Sequence, residues 1–288
     1  MSRVAYVNGQ YVAQREASVN VEDRGYQFAD GIYEVIYLHD GRMVDAEPHL
    51  DRLERSLREL RLPAPMGRAA LVHVLAETAR RNRVSNGIVY IQITRGVSRR
   101  DHAFPAHPIP PSFVVTARRT TPYPRDVAAW AGSAITHPDQ RWARCDIKTV
   151  GLTANVLAKQ AAREKGAAEA FLIRDGMLTE GASTTVWVVD AEGCLRTRHL
   201  DHSVLPGCTR GALIAELQAE GIIFEERAVS EQELRTAREA FITSATSFVR
   251  PIIRLDAAPV GDGTVGPVTR RLFDIFARHV TGGLRNAA

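Results

Sequence analysis

Apolar and polar positions follow two rhythms along this chain, and the switches between them mark its elements. Val4 and Tyr6, followed across Asn8-Gly9 by Tyr11 and Val12, have the alternation and the turn dipeptide of a hairpin. A β-rich run at Ile32–Leu38 closes at His39-Asp40-Gly41 and returns through Arg42–Val44, so the chain opens with two hairpins. The rhythm then changes. Leu50, Leu53, Leu57 and Leu60 recur at spacings of three, four and three with charged residues between them, which predicts an amphipathic helix from near Pro48 to just before Pro63. Leu71, Val74, Leu75 and Ala79 predict a second helix over about Gly67–Arg83. Gly87–Thr94 and Ser112–Ala117 predict strands, separated by a loop through Arg95–His102.

Residues Arg118–Arg125 lose both rhythms and carry two prolines. This places a boundary there: an N-terminal domain 1–119, a linker 120–125 and a C-terminal domain 126–288 that carries Lys148. The second half is expected to open with a strand over Val127–Thr136 and to reach a helix at Thr153–Gly166 after the Lys148 segment. A hairpin follows, Glu169–Ile173 with Met177–Leu178, then a strand pair, Thr184–Val189 with Leu195–Arg198. Next come a helix from about Thr209 to Glu220, a strand Ile222–Val229, and a capping box at Ser230 and Glu233. Strands Ala240–Ser244 and Val249–Leu255 and a helix over about Pro267–His279 complete the order, with Thr281–Ala288 expected as a frayed tail. Hairpin strands with helices between groups give an α+β class, mostly antiparallel. No glycine-rich dinucleotide fingerprint and no phosphate-binding Gly-Lys-Ser loop supports a doubly wound sheet.

The 288 residues, 45% hydrophobic and 24% charged, suffice for a full core in two modest domains or one large one. The net charge of +4 comes from scattered arginines, which argues against a nucleic-acid partner and a polybasic membrane anchor and leaves anionic small molecules. No stretch approaches the roughly 18 apolar residues of a membrane span. The opening hairpin is not a secretory apolar segment. Cys145, Cys194 and Cys208 lack metal or redox spacing, so a cytoplasmic protein without a metal site or disulfides is expected.

Only three of the 37 basic residues are lysines: Lys148, Lys159 and Lys165. The last two lie in a helical stretch, but Lys148 lies outside it, in Arg144–Thr149. A lysine amine, unlike a guanidinium, can give up its proton when desolvated and attack a carbonyl carbon. From this stretch alone a surface pair with Asp146 is the plainer reading. Four loops stand out beside it. Glu22–Tyr33 holds two glycines and an Asp-Arg pair, or a turn with a salt bridge. Thr179–Thr184, at a strand start, sets Glu180 beside glycine and small hydroxyl residues, where a solvated carboxylate is the plainer reading. Leu205–Thr209 precedes a helix whose first N–H groups can hold a phosphate, or else Thr209 caps that helix with nothing bound. Thr243–Thr246 ends a strand with small hydroxyl residues suited to phosphate oxygens. Together, a lysine for an imine, a carboxylate for a pyridinium nitrogen and donors for one phosphate are what pyridoxal phosphate needs.

EDRGYQFADGIYEV, EPHLDRL, TRGVSRRDHAFP, RCDIKT, VLAKQAAREKG, TEGAST, VLPGCTRG and FITSATS lie in order between about residues 4 and 275. This set resembles the D-amino-acid aminotransferases, class-IV aminotransferases of the fold-type IV pyridoxal-phosphate architecture. The resemblance implies an α+β enzyme of two domains, the smaller N-terminal one α/β and the larger C-terminal one a mostly antiparallel, barrel-like β domain with helices. It implies pyridoxal 5′-phosphate as cofactor, Lys148 as Schiff-base lysine and proton carrier, and Glu180 as partner of the protonated pyridine nitrogen. Leu205 would pack on the ring, while Arg52, Cys208, Thr209, Ala245 and Thr246 would hold the phosphate. Tyr33, Arg100 and His102 would bind the substrate α-carboxylate, the last two coming from the neighbouring subunit of a homodimer. Ala182 and Pro206 depart from the family, which often has a hydroxyl and a bulkier residue there, and Val150–Asn155 matches no shared pattern.

The implied reaction is a ping-pong transfer of the amino group of a D-amino acid such as D-alanine to 2-oxoglutarate. The same fold also serves 4-amino-4-deoxychorismate lyases, branched-chain L-aminotransferases and R-selective amine transaminases. The full set Tyr33, Arg100 and His102 favours the D-amino-acid reading. Readings from other classes are a non-catalytic module that binds an anionic metabolite and, remotely, a thiol hydrolase on Cys145 or Cys208.

Overall fold

A computed structural model describes residues 3–282. They form two compact units, one of the residues up to Pro122 with Ile147–Leu152, the other of Tyr123–Asp146 with the chain from Thr153 onward.

The first unit opens with β1 (Val4–Val7) and β2 (Gln10–Ala13), joined through Asn8 and Gly9 at φ 47° and 98°. Two successive positive φ values are what a type I′ hairpin demands, which explains Asn-Gly. Then follow a short helix α1 (Arg24–Phe28), β3 (Gly31–His39), β4 (Arg42–Met43), α2 (Ala46–Glu59), α3 (Arg68–Arg81), β5 (Gly87–Thr94) and β6 (Ser112–Arg119). The sheet runs β2-β1-β6-β5-β3-β4, with every ladder antiparallel. Strand side chains alternate between faces. Ile32, Ile36, Ile91, Ile93, Phe113 and Val115 share one face and pack in a single core with Leu50, Leu53 and Leu57 of α2 and Leu71, Val74 and Leu75 of α3. Burial of each such side chain contributes about 1.5–3 kcal/mol. Tyr33, Tyr90, Gln92 and Thr94 lie on the opposite face, where a cleft of about 380 Å³ is lined by Tyr90, Gln92, Thr94, Ser112, Val150 and Leu152 among others.

Lys148 belongs to this unit and not to the second half of the chain, a correction to the boundary expected from sequence. Strand β4 pairs only with Leu38 and His39, so the start of β3 keeps an open edge. The Tyr33 N–H donates to the Lys148 carbonyl at 3.0 Å, the Val150 N–H to the Gly31 carbonyl at 3.1 Å, and Ile32 and Thr149 form an antiparallel bridge. Ile147 enters the first unit's core. Main-chain pairing, invisible to a reading by sequence neighbourhood, decides the assignment.

The second unit comprises α4 (Val127–Trp130), β7 (Gly132–Pro138), α5 (Thr153–Glu164), β8 (Glu169–Arg174), β9 (Met177–Gly181), β10 (Thr185–Val189) and β11 (Leu195–Thr197). It continues with α6 (Cys208–Ala219), β12 (Phe224–Glu226), β13 (Val229–Ser230), α7 (Glu231–Arg235), β14 (Glu239–Ser244), β15 (Phe248–Leu255), β16 (Ala258–Pro259) and α8 (Pro267–Thr281). The sheet, a curled half-barrel, runs β12-β11-β10-β14-β15-β7-β8-β9-β13 with β16 on β15. Its ladders are antiparallel except β11–β12, β15–β7 and β7–β8.

The strand expected over Val127–Thr136 starts as a helical turn, because the Asp126 carboxylate accepts from the Ala128 N–H at 2.8 Å and caps it. The single strand expected at Ile222–Val229 divides, since β12 pairs with β11 while β13 pairs with β9. The capping box is present: Ser230 Oγ accepts from the Glu233 N–H at 3.1 Å and Glu233 Oε2 from the Ser230 N–H at 2.9 Å. Helix α8 includes Thr281 and is capped by Gly282 at φ 69°; the rest of the expected tail, residues 283–288, lies outside the described residues. Among the described residues no helix is long and apolar enough to cross a membrane.

Candidate active site

In the first unit the Lys148 Nζ stands 4.2 Å from the centroid of the Tyr33 ring, and Tyr33 stacks on Tyr90 with centroids 5.8 Å apart. Tyr90 donates to Gln92 Oε1 at 2.7 Å, and burial together with the neighbouring Tyr33 pushes its hydroxyl up to about 12, so it is a neutral donor at pH 7. The surface pair of Lys148 with Asp146 does not form. Arg144 takes that carboxylate through bonds of 2.9 and 3.0 Å. The Lys148 N–H reaches Ser56 Oγ at 3.4 Å, one helical turn along α2 from Arg52.

Arg52 itself is buried. Its Nε and Nη2 donate to the two Glu34 oxygens at 2.7 and 2.8 Å, and His49 Nδ1 lies 2.7 Å from Oε2. Burial of Glu34 opposes its charge, but Arg52 and His49 prevail and hold its pKa at about 2. Glu34 and His49 escaped the sequence reading, although a signal existed: Glu34 falls on the core-facing parity of Ile32 and Ile36, and a charge there requires a buried counter-ion. The folded pKa lies below the ordinary 4.5, so the stability this pair contributes is full above about pH 4.5 and is lost as pH falls towards 2. Glu34→Gln should lower the urea midpoint at pH 7 by an amount that shrinks progressively below about pH 4.5. A deficit independent of pH from 7 to 3 would contradict this origin.

Arg100 and His102 are exposed and meet on one ring. Arg100 Cζ lies 4.9 Å from the Phe28 centroid, and the His102 ring lies 5.3 Å from it. Their ring contacts are with Phe28, not with Tyr33.

In the second unit Glu180 is the penultimate residue of β9 and not part of a strand start, because β9 extends past Leu178 to Gly181. It is buried, and Arg141, another residue that the sequence did not single out, donates to its Oε1 through Nη1. The Leu205 N–H donates to Oε2 at 3.2 Å, so the proposed ring-packing residue adjoins the carboxylate directly. Arg141 is held in turn by Asp139, at 2.9 Å from Nε and 2.8 Å from Nη2, and by the Ser203 carbonyl at 3.0 Å. Burial works against the Arg141 charge, but Asp139 and Glu180 outweigh it and push its pKa above the usual arginine value. Asp139, also opposed by burial, is held at about 2 by Arg141 and Thr179. A carboxylate accepts at about four lone-pair positions, so bonds from behind are compatible with acceptance from a pyridinium N–H.

Helix α6 begins at Cys208 with Gly207 as its cap, so Thr209 lies in the first turn and is not the N-cap. Gly207 brings no side chain to that end, and a Cβ on it would come 2.9 Å from Thr185 Oγ1. Thr185 pairs with Thr243, two residues before Ala245. The first turn of α6 and the turn Ala245-Thr246 therefore gather at one end of β10 and β14. Ser244 Oγ shapes the latter turn by accepting from the Ser247 N–H at 3.0 Å and the Thr246 N–H at 3.4 Å. Burial pushes the Cys145 thiol up to about 11 and its Sγ donates to the Trp142 carbonyl, which disqualifies it as a nucleophile.

Within each unit these groups are of the kinds that pyridoxal phosphate needs. A charge-compensated carboxylate, a leucine beside it and a helix N-terminus whose cap residue is a glycine follow one another on the second unit. The first holds Lys148 over Tyr33 and Arg52 on Glu34. The architecture is that of fold-type IV aminotransferases: the branched-chain amino acid aminotransferase of Escherichia coli superposes with a TM-score of 0.88 at 24% identity, over 100% of this chain and 97% of that one. Residues 31–255 match amino-transferase class IV, and the chain belongs to that family, whose members are pyridoxal-phosphate enzymes. The D-alanine aminotransferase of Staphylococcus haemolyticus is 38% identical over 275 residues, covering 96% of this chain and 97% of that protein. The D-alanine aminotransferase of Listeria monocytogenes serotype 1/2a is 37% identical over 276 residues, covering 96% and 95%.

Proposed function

We propose that this chain transfers the amino group of a D-amino acid of the D-alanine type to 2-oxoglutarate, giving a 2-oxo acid and D-glutamate by a ping-pong sequence. The observation that carries this reading is Lys148 set over the ring of Tyr33, in a chain 38% identical across 96% of its length to a D-alanine aminotransferase. Bound pyridoxal phosphate supplies the electron sink for the pair left at Cα when its proton departs. Lys148 would hold the cofactor through its amine and would carry the proton of Cα. Glu180 keeps a proton at the pyridine nitrogen, with Arg141 balancing its charge. Leu205 orients the ring. Arg52, with donors at Cys208, Thr209, Ala245 and Thr246, binds the phosphate. Tyr33, Arg100 and His102 bind the α-carboxylate, with Arg100 and His102 reaching it from the second subunit of a homodimer. Their exposure on their own chain, against the ring of Phe28, supports that division. A cytoplasmic location completes the reading.

A panel of D-alanine, D-glutamate, L-leucine and (R)-1-phenylethylamine against 2-oxoglutarate tests it. D-alanine should lead, and a preference for L-leucine would replace this reading with the branched-chain one. Arg100→Ala should raise the KM for D-alanine by about tenfold or more, the scale of one lost charge-assisted bond, and leave any amine turnover much less affected. Equal losses with both donors would remove Arg100 from carboxylate recognition.

A further inference from the structure

Beneath Arg100 and His102 lies an arginine that the reaction itself does not use. Arg24 is 3% exposed and belongs to α1, which is pinned at its start: Asp23 accepts from the Gly25 N–H at 2.8 Å and from Thr94 Oγ1 at 2.9 Å. The Arg24 N–H donates to the Gly96 carbonyl at 2.9 Å, so the root of the 95–102 loop is fixed as well. Its guanidinium then reaches three consecutive carbonyls of the loop. Nη1 donates to Asp101 at 2.5 Å and to Ala103 at 3.2 Å, and Nη2 donates to His102 at 3.3 Å. Nε donates to Asp30 Oδ2 at 2.9 Å. Arg95 grips the same carboxylate at 2.7 and 2.9 Å and spends its remaining donors on the carbonyls of Leu60 and Arg61, just past the end of α2. A continuous chain of charge-assisted bonds thus ties the loop backbone to the helical layer. Phe28, one turn along α1 from Arg24, supplies the ring on which Arg100 and His102 both rest.

We propose that Arg24 is the positioning residue of the carboxylate-recognition loop: it holds the backbone at 101–103 so that Arg100 and His102 project from fixed points. The proposal rests on the assignment of those two residues to the substrate carboxylate. Arg24 touches no substrate. A planar fork with five donors can serve Asp30 and three carbonyls at once, whereas an ammonium has three donors at one point. Arg24→Lys therefore keeps the charge that Asp30 needs and loses the grip on the loop.

The test uses the holoenzyme and propionate, a carboxylate without an amino group, whose Kd is read from the perturbed cofactor absorbance. Arg24→Lys should weaken propionate and raise the KM for D-alanine, each by about tenfold, the scale of misdirecting one charge-assisted hydrogen bond. Its kcat, cofactor content and melting temperature should stay near the parent values. Arg100→Ala is run in parallel. If Arg100→Ala weakens propionate and Arg24→Lys does not, the positioning role is overturned and the carboxylate assignment stands. If neither weakens it, the assignment fails and takes the positioning role with it. A fall in kcat and cofactor content with propionate binding intact would show a structural role only and would also overturn the proposal. Should Arg24→Lys not accumulate as folded protein, Arg24→Met, which offers the loop carbonyls no donor while Arg95 still holds Asp30, is read by the same criteria.

Discussion

Lys148→Ala should abolish transamination, with a loss of about 10⁴-fold or more, because in the proposed roles one substitution removes both the covalent partner of the cofactor and the carrier of the Cα proton. General acid–base transfer alone is worth about 10²–10⁴-fold. The fold should survive the change. The Lys148 segment is attached by main-chain bonds, from the Tyr33 N–H at 3.0 Å and to Ser56 Oγ at 3.4 Å, and these do not involve its side chain. The truncation gives up the contact of Nζ with the Tyr33 ring, worth about 0.5–1 kcal/mol at a partly exposed site. Borohydride treatment should then fix no cofactor to the variant, as a mass measurement would read. Lys148→Arg makes the sharper control: it keeps a cation over Tyr33 but offers no amine that loses its proton, so it should be equally inactive. Parent-like turnover in either variant would move the catalytic amine elsewhere.

Most elements of both units were legible in the sequence because each has a local cause. The Asn8-Gly9 turn, the leucine stripe of α2 and the Ser230 capping box are decided by residues within a few positions of one another. What escaped depended on partners distant in sequence. Lys148 joins the first unit through the open edge of β3, over a hundred residues upstream. Asp126 turned an apolar run into a helix by a single cap. The candidate site divides in the same way. Lys148, Glu180 and the Leu205–Thr209 turn are conspicuous by residue type and setting, so the resemblance could attach roles to them. Glu34, His49, Asp139, Arg141 and Arg24 act by holding another charged group or a loop. In an arginine-rich chain nothing about an isolated arginine distinguishes that work from solvation; only the geometry of its partners does.

Glu180→Gln should lower kcat by about 10²–10³-fold, the range seen when one preorganised electrostatic partner of a reacting system is removed. In the proposed role of Glu180 a neutral amide could not keep a proton on the pyridine nitrogen, whereas the proposed phosphate donors are untouched and cofactor content should stay near the parent value. The same substitution exposes the logic of the buried cluster. Arg141→Met would leave Glu180 buried without its cation and Asp139 with Arg174 alone, 3.1 Å from its Oδ2, and should cost about 3–5 kcal/mol of stability. Adding Glu180→Gln to Arg141→Met removes the stranded carboxylate, so the double variant should be more stable than Arg141→Met alone. Glu180→Gln in the parent background should be destabilising, because it takes one anion from a guanidinium that is itself buried. This reversal of sign, read from urea midpoints of the four proteins, is the signature of a charge-balanced pair. If Glu180→Gln has the same effect on stability with and without Arg141, the carboxylate is not electrostatically supported by Arg141, and its readiness to hold a pyridinium must come from the cofactor alone.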